Sequence, residues 1–75
     1  MKHYRLLCEV ATGIVLNTDG ETRFQNHYGT TELPYIEAKS LEEAQYWAMD
    51  MLIMYPGVEV TIYDEEKNYI NTISS

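Results

Sequence analysis

Seventy-five residues with a hydrophobic fraction of 45% make a single folded domain, 1–75, close to the size below which chains need staples. One cysteine, Cys8, excludes an intramolecular disulfide framework, and no apolar run is long enough to span a bilayer, so a soluble cytoplasmic protein without a membrane partner is expected. The net charge of −7 lies wholly in residues 32–75, where nine acids face Lys39 and Lys67, and such a field repels phosphates and argues against direct nucleic-acid binding.

From Lys2 to Val10 the chain alternates, with Tyr4, Leu6, Cys8 and Val10 on one side and His3, Arg5, Leu7 and Glu9 on the other. This period of two predicts a half-buried strand. Ala11-Thr12-Gly13 either bends that strand or turns it into a hairpin, and Ile14-Val15-Leu16 resumes it. Asn17-Thr18-Asp19-Gly20 is a turn, with glycine free to take a positive φ. Glu21 to Tyr28 reads as a weaker return strand, Gly29 to Pro34 as a loop, and Tyr35 to Lys39 as a short strand.

The stretch from Ser40 to Tyr55 (SLEEAQYWAMDMLIMY) predicts a helix. Ser40 suits the N-cap and Glu43 completes an S-x-x-E capping box, while Glu42 and Glu43 favour the positive end of the dipole. Pro56-Gly57 stops the helix. Val58, Val60 and Ile62 then alternate with Glu59, Thr61 and Tyr63. After the polar loop Asp64-Glu65-Glu66-Lys67-Asn68, residues Tyr69 to Ile73 return antiparallel. The expected fold is α+β: an antiparallel or mixed sheet of four to five strands with one helix on one face, in the order ββ(β)αββ.

At 100° per residue Leu41, Ala44, Ala48, Met51, Leu52 and Tyr55 form one stripe for the sheet, with Trp47 at its border. Tyr46, Met49 and Ile53 form a second apolar set on the opposite side, bordered by Glu42 and Asp50. Either the amino-terminal strands or the 29–34 loop cover that set, or it is a contact surface, for which methionine and aromatic residues are well suited. The sheet face away from the helix is expected to show Arg5, Leu7, Glu9, Thr61 and Tyr63, a mixed surface able to sit in water.

Chemical motifs are weak. Cys8 with His3 or His27 could be drawn as a thiol–imidazole pair, but a cysteine in an apolar strand pattern is usually an inert small hydrophobe. These residues lack structural-zinc spacing, Asp64-Glu65-Glu66 lacks the ligand alternation of a calcium loop, and there is no glycine-rich phosphate loop. The expectation is therefore a non-enzymatic interaction protein without catalytic residues, cofactor or metal. It would self-associate as a homo-oligomer or dock on a protein partner through Tyr46, Met49 and Ile53, with Trp47 as an anchor. The alternative is an acidic inhibitor or immunity-type protein that covers a basic surface of a nucleic-acid-acting enzyme through Asp64, Glu65 and Glu66.

Overall fold

In the computed structural model, residues 2–25 and 33–74 are described. Strand β1 (His3–Glu9), strand β2 (Ile36–Ala38), helix α1 (Leu41–Met54), strand β3 (Val58–Tyr63) and strand β4 (Tyr69–Ile73) follow one another along the chain. The four strands form one sheet in the order β2-β1-β3-β4, every neighbour antiparallel, and the helix packs across one face. The α+β expectation is met.

The interior is set by β3. Val58, Val60 and Ile62 are the most apolar side of any strand, so the helix settles on them, and the small Ala44 and Ala48 let it approach closely. Leu7, Leu16 and Met51 complete the larger cluster, while Ala38 joins Ala44 and Ile62 in the smaller one. Trp47 and Tyr55 pack against the first cluster and Leu41 against the second, as the helical spacing predicts.

Antiparallel register then decides β1. Leu7 lies opposite Val60 and Arg5 opposite Ile62, so these two side chains share the helix-side face. Tyr4, Leu6 and Cys8 take the other face, with Leu6 opposite Thr61 and Tyr4 opposite Tyr63. The expected outward face has the right side for Thr61, which is nevertheless buried, and for Tyr63, and the wrong side for Arg5, Leu7 and Glu9. Alternation names two sides of a strand but does not say which one a neighbouring strand will turn inward.

The chain from Val10 to Gln25 is a pair of tight turns rather than continuous strand. The first hairpin closes with the Glu9 N–H donating to the Ile14 carbonyl at 2.9 Å and Leu16 N–H to Leu7 at 2.8 Å, around Gly13 at φ 73°. This settles the open choice between a bent strand and a hairpin. Ile14 to Leu16 and the start of the expected 21–28 strand contribute isolated bridges, Cys8 to Val15 and Leu16 to Arg23, and the rest of that stretch lies outside the described residues. In the second turn Asp19 accepts from the N–H groups of Glu21 and Thr22 at 2.9 and 3.0 Å. Gly20 at φ 75° sits so close to the helix end that a Cβ would meet Met51 Cε at 3.4 Å and the Tyr55 ring at 3.5 Å.

The helix starts where its caps dictate. Ser40, in an extended conformation, accepts from the Glu43 N–H at 3.1 Å. The reciprocal bond departs from the expected box: Glu43 Oε2 accepts from the Lys39 N–H at 3.1 Å, one residue before the cap. At the other end Tyr55 donates its N–H to the Met51 carbonyl before Pro56 and Gly57 turn the chain into β3.

Candidate functional sites

The outer helix face is built by the same spacing that builds the core. With Ala44, Ala48 and Met51 buried, residues offset by half a turn must point away from the sheet. Tyr46, Met49 and Ile53 are 67%, 58% and 81% exposed, and Met54 beside them is exposed as well. Among the described residues, Glu42, Gln45, Tyr46 and Met49 line a shallow depression of about 320 Å³ on this face. The helix carries Glu42 and Glu43 in its first turn and Asp50 later, with no basic residue along its length.

Trp47 stands apart from the other three expected contact residues. It is half-buried, packs against the core, and carries the Arg5 guanidinium on its ring with Cζ 4.0 Å from the ring centroid. Arg5 is 5% exposed, between sheet and helix. Its Nη2 donates to the Glu37 carbonyl at 3.0 Å and its Nε makes no hydrogen bond. Burial pulls the guanidinium's pKa down, and the carboxylate of Glu43 opposes that shift. A buried arginine in a strand of alternating pattern gives no sequence signal, because exposed arginines occupy the same pattern.

The acidic loop is partly consumed by its own turn. Asp64 Oδ1 accepts from the N–H groups of Glu66 and Asn68, each at 2.9 Å, and its backbone N–H donates to the Asn68 carbonyl at 2.9 Å. These bonds, led by the one from the Asn68 backbone, hold the Asp64 carboxyl below the usual range. Asp64 therefore shapes the hairpin, while Glu65 and Glu66 are exposed. Lys67, at φ 64°, occupies the left-handed corner of the loop.

On the sheet face away from the helix, tyrosines from four parts of the chain meet. Tyr4 of β1 and Tyr35, just before β2, have ring centroids 6.0 Å apart at 67°, and Tyr35 meets Tyr63 of β3 at 5.5 Å and 89°. Tyr69 of β4 adds a further edge contact to Tyr63 at 6.5 Å. Lys67 Nζ lies 5.1 Å from the Tyr4 centroid and 5.0 Å from the Tyr35 centroid. Burial, ahead of the neighbouring phenols and thiol, raises the Tyr63 hydroxyl's pKa. The seven tyrosines of the chain were visible from the start, but only pairing of β1 with β3 brings Tyr4 and Tyr63 together.

Cys8 lies on that same face, half-buried, and burial pushes its thiol up, the opposite of what activates a nucleophile. No group of three or more metal-capable side chains gathers among the described residues, and His27 lies outside them. No helix among the described residues is long and apolar enough to cross a membrane. In comparisons with protein-family models, curated proteins and solved structures, nothing matches this chain.

Proposed function

We propose that this chain is a non-enzymatic interaction module that binds another protein surface through the outer face of α1, with Tyr46, Met49 and Ile53 at the contact. The exposure of these three large apolar side chains on one rigid helix carries the reading. Each would bury apolar area worth about 1.5–3 kcal/mol if fully covered, before the cost of association. The border of Glu42 and Asp50 favours a partner with basic residues around an apolar contact. A second copy of the chain, giving a homo-oligomer, would set acid against acid along the helices. Trp47 supports the contact from behind by holding the helix on the sheet.

The test is pull-down from the source cell and mass measurement in solution with the wild type, Tyr46→Lys and Ile53→Glu. The charged variants should stay folded by circular dichroism and lose the partner or the oligomer. Folded variants with unchanged mass and unchanged binding would refute the reading.

The charge asymmetry favours a second reading, an acidic inhibitor that covers a basic enzyme surface. The exposed Glu65 and Glu66 would make that contact, and Asp64 would hold their loop. Association would then fall steeply with salt, and Glu65→Lys with Glu66→Lys would abolish it while Ile53→Glu would not.

A further inference from the structure

We propose that Tyr4, Tyr35 and Tyr63 form a binding site for an alkylammonium group, occupied in the free protein by the chain's own Lys67. A cation held over two ring faces, each within about 6 Å of a centroid, is the geometry by which aromatic side chains recognise ammonium groups. Here one ammonium satisfies it twice, at 5.1 and 5.0 Å. The two ring faces come from β1 and the segment entering β2, and Tyr63 of β3 backs Tyr35 edge to face, so ring contacts and the pairing of β1 with β3 support the site independently of Lys67.

Lys67 itself is a weak occupant. Its side chain is exposed, so each ring contact contributes about 0.5–1 kcal/mol, and ordering a lysine side chain costs up to about 2 kcal/mol. A primary ammonium is also strongly hydrated, whereas a methylated one gives up less water on entering an aromatic site. Glu65 and Glu66, which precede Lys67 in the loop, add negative charge beside the site, while Glu37 of β2 is already paired with Lys2 at 3.1 Å. The ligand class is a methylated or quaternary ammonium, from a small molecule or from a modified lysine side chain. It would displace Lys67 and leave the sheet unchanged.

Tetramethylammonium is the first probe, added at constant ionic strength and followed by the aromatic and lysine side-chain resonances. In the wild type it should shift the Tyr4, Tyr35 and Tyr63 rings and release the Lys67 ε-methylene from its ring-current shift. Lys67→Met, which keeps an apolar stem, should bind it about 2–5-fold more tightly, corresponding to the loss of a competing contact. Tyr35→Leu in the same background should abolish binding. tert-Butyl alcohol, close in shape but neutral, should give no shift. A short peptide with trimethyllysine separates the sources: tighter binding than tetramethylammonium assigns the ligand to a protein side chain, and equal binding assigns it to a small cation. The proposal is overturned if tetramethylammonium leaves the wild-type rings and Lys67 unmoved, or if the neutral alcohol shifts them equally.

Discussion

Among the described residues two cations sit on aromatic rings, one on each face of the sheet, and they differ in everything except that contact. Arg5 lies sealed between β1 and the helix, 4.0 Å from the Trp47 centroid, with a backbone carbonyl on Nη2. Lys67 reaches over Tyr4 and Tyr35 from an exposed hairpin loop. Burial removes water as a competitor for Arg5, so the Trp47 ring, the Glu37 carbonyl and the Glu43 carboxylate together compensate a guanidinium whose Nε makes no hydrogen bond. For Lys67 water is always the alternative, so its contact is exchangeable. The comparison separates a cation that belongs to the core from one that can give way.

The largest effect should come from the sealed side. Trp47→Ala removes a core-packed ring and uncovers Arg5, and is expected to cost about 3–5 kcal/mol, comparable to the net stability of so small a domain. Urea unfolding would read this as a variant largely unfolded in water. Arg5→Met replaces the buried charge by an apolar chain of similar length and should be much milder, neutral within about 1 kcal/mol. A loss as large as that of Trp47→Ala would mean that the charge itself holds the face together.

Gly20→Ala tests the turn that closes over the helix end. A positive φ costs a non-glycine residue about 1–2 kcal/mol, while the new methyl would make only ordinary contact with Met51 and Tyr55, so the backbone sets the loss. The readout is a lowered denaturation midpoint with an unchanged m-value. A smaller loss should follow Lys67→Met, below about 1 kcal/mol, because the contact is exposed. That contrast with Trp47→Ala is the sharpest statement of the difference between the two faces.

Acid should weaken the loops before the core. Asp64 and Asp19 have folded pKa values depressed by backbone N–H groups, those of Asn68 and Glu21 first, and Glu9 is depressed by its bond to Arg23. A depressed carboxyl binds protons more readily in the unfolded chain. Its contribution is therefore complete above the unfolded value of about 4 and is lost as pH falls toward the folded value. Unfolding midpoints should drop between about pH 5 and pH 3. Asp64→Asn should flatten that dependence slightly, because the group is exposed and strongly screened.

Much of the architecture was readable from local chemistry. Ser40 and Pro56-Gly57 bound the helix, Asn17 to Gly20 turns, and Val58 to Tyr63 alternates, because each is decided by groups within a few residues of one another. The sidedness of β1 was not readable. Tyr4, Leu6 and Cys8 look at least as apolar as Arg5 and Leu7, and only register with β3 turned the latter pair inward. Leu6 nevertheless remains buried, at 4% exposure, so both faces of this strand carry interior residues.

The candidate sites divide in the same way. Tyr46, Met49 and Ile53 could be placed on one outer face from helical spacing alone, since the period of a helix is a local property. The tyrosines around Lys67 could not, because they stand at positions 4, 35 and 63 and meet only through strand pairing. By itself the sequence determined the helix with its stripe, the strands on either side of it and the acidic half, but not that 14–16 would contribute only isolated bridges rather than a strand. The tertiary structure decided which side of β1 faces the helix, which cation is sealed and which is exposed, and that the tyrosines form a cluster, because all three depend on pairing between residues far apart in the chain.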